Sequence, residues 1–290
     1  MKALIQILIF FIGFTSAIDV HGQTVSRELN FAKYLMAKKN YDESVFVLKK
    51  LNTSATLTPI ERDSIHFLLG NIYYDQKDLS NSIENFDLVS GLSHRLKSEA
   101  VFFSSFNSAY LKSYPEAKRK LLLYAAIDSS ELQLKHLELA GVSLLQRDLK
   151  RFDSLSKFFT PINYLTDLQE KQMQERSNQI LHMQKKSPLV AAMLSAILPG
   201  AGKFYAGNKG QGMYTLLIST IVGLQTWEAY KKDGPSSFRF IAYGTIFTSI
   251  YIGNIWGSTF AVKLKRDQFN ETINDQILFD MHIPLRTLFH

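Results

Sequence analysis

A chain of 290 residues with 46% hydrophobic content has material for two ordinary domains with real cores. The absence of cysteine excludes a disulfide framework, thiolate chemistry, a Cys-ligated metal and a lipid-modified cysteine behind a signal. The net charge of +7 is no nucleic-acid footprint. Lys/Arg number 23 against 19 acids between Gln23 and Lys186, and 9 against 6 from Ser187 onward, interleaved rather than clustered.

The N-terminus opens on Met1 and Lys2, runs apolar from Ala3 to Phe14 and ends in the small residues Thr15, Ser16 and Ala17. A charged start, a short apolar core and a small-residue site predict a secretory signal peptide over residues 1–22, cut after Ala17 or nearer Gly22. An uncleaved anchor is the alternative, and the run is short for a membrane span.

Self-similarity dominates the next stretch, 23–160. The clearest unit, Ile65 to Val89, carries Leu69, Gly70 and Tyr73, a turn at Asp78-Leu79, then Ser82 and Phe86. These offsets resemble a tetratricopeptide repeat, in which a small residue on the second helix lets the first approach. Aligning that small position gives Ser44, Ser82, Ala117 and Asp153, spaced by 38, 35 and 36 residues. The first unit adds Ala32, Leu35, Asn40, Tyr41 and Leu48, the third Ser105, Ser108, Tyr114 and Leu121, and the fourth Gly141, Leu144, Asp148, Leu149 and Phe152. Tyr73 and Phe86 are expected to fill the space between paired helices. The concave face of such an array is expected to take a protein or peptide partner.

Residues 161–186 form a polar helix, with Glu170 to Gln174 and Lys171 to Glu175 at surface-neighbour spacing. It reads either as a linker or as a cap on the repeats. Charge then almost vanishes. Gly210 to Trp227 is 18 residues and Phe240 to Val262 is 23 without a formal charge, each long enough to cross a bilayer core of about 30 Å. Tyr214, Trp227, Tyr230, Tyr243 and Trp256 stand broadly where interfacial aromatics belong. The expected segments are 188–204, 210–230 and 238–262. The first, interrupted by Pro199 and Gly200, either spans or only dips in. The tail 267–290, with Phe269, Ile273 and Ile277 at helical spacing, lies on a membrane or folds back on the repeats.

Between these segments runs Leu198-Pro199-Gly200-Ala201-Gly202-Lys203-Phe204-Tyr205-Ala206-Gly207, followed by Lys209, Gly210 and Gly212. Proline ends the preceding helix and the glycines permit close approach. The stretch Ser187 to Arg266, through its Ser-x-x-Leu-Pro-Gly-x-Gly-x-x-Tyr-x-Gly core from Ser195, resembles a bacterial family with a signal, variable repeats and a C-terminal domain of unknown function (DUF5683). It is more distantly similar to the TM2 domain. The resemblance implies an envelope membrane protein with a helical hairpin and no catalytic residues to carry over. Pro199, Gly200, Gly202, Lys203, Tyr205, Gly207 and Gly212 then form a hairpin signature, Lys203 matching the charged residue of the TM2 linker.

Gly200-Ala201-Gly202-Lys203 is not a phosphate loop. That motif needs glycine five residues before the Gly-Lys pair and Ser or Thr after it, where Ile197 and Phe204 stand. No pair among His21, His66, His94, His136, His182, His282 and His290 has zinc-helix spacing, and no nucleophile elbow or dinucleotide fingerprint occurs. The expectation is an all-α, non-enzymatic protein without cofactor or metal: a tetratricopeptide-like array followed by a transmembrane helical hairpin. It would be a scaffold of the bacterial inner membrane, with repeats facing the periplasm, binding a protein or peptide and membrane lipid but no nucleic acid. The alternative is a membrane-protein insertion or transport component whose hydrophobic domain handles the cargo.

Overall fold

The computed structural model describes residues 25–54, 56–160 and 165–289, so the signal-peptide reading of 1–22 falls outside it. The protein is all-helical, with no strand among the described residues. Two compact units divide the chain: Met1–Lys171 together with Leu278–His290, and Gln172–Ile277.

The first unit contains four helix–turn–helix pairs. They are α1 (25–37) with α2 (Tyr41–Asn52), α3 (Pro59–Asp75) with α4 (Leu79–Asp87), α5 (His94–Tyr110) with α6 (Tyr114–Leu123), and α7 (Ser129–Leu145) with α8 (Leu149–Ser156). Each turn is the same device. Lys39, Lys77, Lys112 and Arg147 hold φ near +60° (63°, 64°, 63° and 61°), the left-handed conformation that usually ends a helix at glycine. The next N–H reaches back five residues, from Asn40, Asp78, Ser113 and Asp148 to the carbonyls of Leu35, Tyr73, Ser108 and Ser143 at 2.8–2.9 Å. Orphan carbonyls of the first helix are thereby used before the second begins.

With the turn residue as origin, the partner positions across each pair fall seven residues before and five after it. They are Ala32 and Ser44, Gly70 and Ser82, Ser105 and Ala117, Ala140 and Phe152. In the first two pairs the second-helix hydroxyl donates to the first-helix carbonyl, Ser44 to Ala32 and Ser82 to Gly70, both at 2.8 Å. The third pair reverses the roles, Ser105 donating to the Ala117 carbonyl at 2.9 Å. The fourth corrects the sequence reading by one residue. Phe152, not Asp153, takes the second-helix place; it is buried while Asp153 is exposed, and Ala140 rather than Gly141 faces it.

Of the expected packing residues, Leu69 and Phe86 are buried and Tyr73 lies half-buried against the core of Ile65, Leu68, Leu69 and Ile72. A methyl on Gly70 would stand 2.6 Å from the Phe86 ring. Successive pairs are tied by polar bonds as well: Asn107 donates to Ser82 at 3.0 Å, and buried Lys120 donates to Ser104 at 2.8 Å and pairs with Asp87.

Helix α9 (Asp167–Gln184) follows. Lys171 pairs within it with Asp167 at 2.8 Å, and Glu170, read above as a surface residue, is buried and accepts from Thr166. The second unit then holds α10 (Pro188–Ile197), α11 (Ala201–Ala206), α12 (Lys209–Asp233) and the first part of α13 (Phe238–Phe289), whose residues from Leu278 belong to the first unit.

No helix among the described residues is long and apolar enough to cross a membrane, so the transmembrane hairpin expected from charge alone lacks that support. Freedom from charge is not hydrophobicity. Gln211, Thr215, Ser219, Thr220, Gln225 and Thr226 dilute α12, and Thr245, Thr248, Ser249, Asn254, Ser258 and Thr259 dilute α13. The segment expected at 188–204 is two short helices of 10 and 6 residues.

The turn geometry and the Gly70 contact give opposite expectations. Lys112→Gly removes the side-chain penalty of a left-handed residue and is expected to gain about 1 kcal/mol. Gly70→Ala forces Phe86 aside and is expected to lose about 1–3 kcal/mol. Denaturant midpoints of the repeat transition check both directions.

Candidate functional site

Two arrangements bring the singled-out residues together, one in each unit. In the second unit the Pro-Gly motif is bound to α13 by polar side chains. Gly200, at φ +89°, donates its N–H to Asn254 Oδ1 at 3.2 Å. Gly202 donates to Ser195 Oγ at 2.9 Å, and Ser195 and Ser258 share a hydrogen bond at 2.6 Å. Asn254 also donates to the Ser195 carbonyl at 3.4 Å, and Tyr251 donates to that of Ala196 at 2.5 Å. Ser195, Asn254 and Ser258 are all buried.

The glycines are sterically required. A methyl on Gly200 would lie 2.3 Å from the Gly212 carbonyl oxygen, and one on Gly202 would lie 2.0 Å from that of Ala191. A methyl on Gly212 would lie 2.8 Å from the Phe204 ring. Pro199 follows Leu198, whose extended backbone ends α10, and Gly207 closes α11 at φ +93°. Tyr205 accepts the Ser187 N–H at 3.0 Å, and Lys203 donates to Thr215 at 2.8 Å. The whole signature thus holds a close junction of α10, α11, α12 and α13. Asn254 and Ser258 went unread in the sequence, although an asparagine in an otherwise apolar run signals an interhelical partner.

In the first unit the chain's own end lies against the first helices of the second and third pairs. His282 hydrogen-bonds through Nε2 with the Tyr74 hydroxyl and stacks on Phe106, centroids 4.9 Å apart and planes at 18°. Phe289 meets Phe102 at 5.7 Å and Phe103 at 6.5 Å. Met281 and Leu285 are fully buried. Burial pushes the Tyr74 phenol up to about 12, Arg286 opposing and Asp75 adding to the rise, so it stays protonated and able to donate. Residues 278–289 therefore cover an aromatic surface of α3 and α5, and this part of the tail folds back on the repeats, one of the two alternatives the sequence left open.

One titratable trio lies elsewhere. Glu131 accepts from Tyr124 at 2.7 Å and from the Ile127 N–H at 3.1 Å, and pairs with His94 at 2.9 Å. Burial works to raise its pKa, but bonds from Ser98, Tyr124, Ile127 and His94 outweigh that and leave it lowered. These bonds tie the loop between α6 and α7. No group of three or more His, Asp and Glu side chains able to hold a metal occurs among the described residues.

The chain matches no protein-family model, no curated protein and no solved structure. The family resemblance of 187–266 accordingly rests on the motif residues themselves.

Two buried acids give a pH dependence. Glu138 on α7 is fully buried, its carboxyl has no hydrogen-bond partner among the described residues, and burial holds its pKa well above the usual range. Burial raises Glu99 on α5 to about 7, partly offset by Arg95. A carboxyl that binds its proton more tightly when folded adds stability that is complete below the unfolded value and disappears as pH rises through the folded one. The repeat unit should therefore lose up to about 3 kcal/mol from Glu99 between pH 4.5 and pH 8. Glu99→Gln should flatten that part of the stability–pH curve, measured by denaturant melts across the range. In the second unit, Gly202→Ala should expose the 187–209 segment to limited proteolysis, because the obstacle is backbone and cannot move aside.

Proposed function

We propose that the protein is a membrane-held scaffold of the bacterial envelope: the second unit, in its DUF5683-like and TM2-like arrangement, is the anchor, and the tetratricopeptide-like first unit binds a protein partner. The observation that carries the reading is the inverted polarity of α10 to α13. Their buried positions include Ser195, Thr215, Ser219, Asn254 and Ser258, while Leu189, Ile197, Leu217, Leu224, Trp227, Ile252, Trp256 and Phe260 are exposed, Ile197 by 82% and Trp256 by 75%. Helix association in lipid favours this pattern, small and polar residues inside and large apolar ones outside.

Hydropathy averaged along one helix counts the inner residues as though lipid touched them. Here the buried hydroxyls of Ser195, Thr215 and Ser258 have partners, while that of Ser219 has none among the described residues. Thr215, Thr226, Thr245, Ser249 and Ser258 each donate to the carbonyl four residues back at 2.8 Å, a bond that needs no water. A soluble protein rarely leaves so many large apolar side chains in water. The charged residues Lys231, Lys232, Asp233 and Arg239 gather at the α12–α13 connection, as at a membrane surface.

The two tryptophans, Trp227 and Trp256, are both exposed and both in the second unit, so tryptophan fluorescence, excited selectively over tyrosine, reports on that unit alone. Reconstitution of the full chain into vesicles is expected to shift its emission to the blue and to allow quenching by brominated acyl chains. Emission that stays water-like, from a monomer that remains dissolved without detergent, would overturn the anchor.

A further inference from the structure

The contacts of residues 278–289 describe a ligand as well as a tail. His282, Leu285 and Phe289 stand at i, i+3 and i+7, one face of a helix, and that face is what Tyr74, Phe102, Phe103 and Phe106 receive. Building on the scaffold reading, we propose that this segment is an internal ligand: the aromatic site beneath it is a binding site for a partner's amphipathic helix, and the tail must leave before the partner enters. The partner helix is specified by what it replaces. It presents a hydrogen-bonding ring, an aliphatic side chain three residues on and an aromatic ring four beyond that.

The site's walls do not depend on the tail. Tyr74 stands edge-on to Phe103 at 5.1 Å, Phe103 lies against Phe86 at 6.1 Å, and Phe102 meets Tyr124 at 5.5 Å, all contacts among the repeat helices. A site built in advance binds without the cost of ordering its own side chains.

The tail, by contrast, is a compromised occupant. Pro284 lies inside the docked helix, where it lacks the N–H that would bond the carbonyl four residues earlier and crowds the preceding turn. A partner helix without a proline at that place competes from an advantage, and a tail tethered in the same chain sets the threshold it must exceed.

The test uses the full chain in detergent and a fluorescein-labelled peptide with the sequence of residues 278–290, followed by anisotropy. His282→Ala with Phe289→Ala weakens the tail and leaves the groove intact; Leu285→Asp, a charge at a fully buried position, releases the tail by a second route. Amide exchange over 278–289 reports the release directly. The expected result is at least about tenfold tighter peptide binding in a released variant than in the natural chain, lost again when Phe106→Ala is added. Equal binding to the natural and released chains would overturn the gate and leave the scaffold reading standing. A released chain that binds no peptide would overturn the internal-ligand proposal itself, since the site would then accept no helix in trans, while the anchor reading stands or falls on the vesicle experiment.

Discussion

The repeat unit depends on one constraint: two helices must approach closely within a few residues of the turn that joins them. Four times the chain solves it with a basic residue in the left-handed conformation and a small side chain on at least one of the two facing positions. Glycine would suit the turn backbone better, so the lysines and arginine carry a local penalty that the surrounding packing sustains. Once the turn is set, the facing carbonyl becomes available to a hydroxyl across the pair. Whether that hydroxyl comes from the second helix, as at Ser44 and Ser82, or from the first, as at Ser105, is interchangeable.

That interchangeability explains what the sequence could and could not reveal. The period was visible because Gly70, Ser82 and Phe86 answer steric demands within a single pair. The fourth pair differs by one residue from its sequence pattern because the small side chain is required of the two facing positions together and not of the second helix alone. At the motif of the second unit the glycines were legible one by one, but Asn254 and Ser258 lie more than fifty residues from the backbone they bind. In the sequence the tail's return to the repeats is only one of two alternatives, and the surface that receives it cannot be named there, Tyr74 and His282 being 208 residues apart. A local pattern shows that a helix has an apolar face; it does not name the surface that receives it.

The second unit shows how counting charges and averaging hydropathy diverge. Long uncharged runs suggested spans, and no helix among the described residues is long and apolar enough to be one. The difference lies in hydroxyls, amides and glycines that are spent on neighbouring helices. Gly200, Gly202 and Gly212 trade side chains for proximity, and Ser195, Asn254 and Ser258 convert that proximity into hydrogen bonds. A side chain at Gly200 or Gly202 would meet backbone and push apart the hydrogen-bonded groups of α10, α11 and α13.

Within the second unit, Asn254 and Ser258 stand four residues apart on α13 and so share one face of that helix, both turned to the glycine motif. Each added or deleted residue turns everything beyond it by about 100° around the helix axis. A residue inserted between Asn254 and Ser258 would therefore carry one of the two away from the backbone or hydroxyl it binds, whichever side stayed in place.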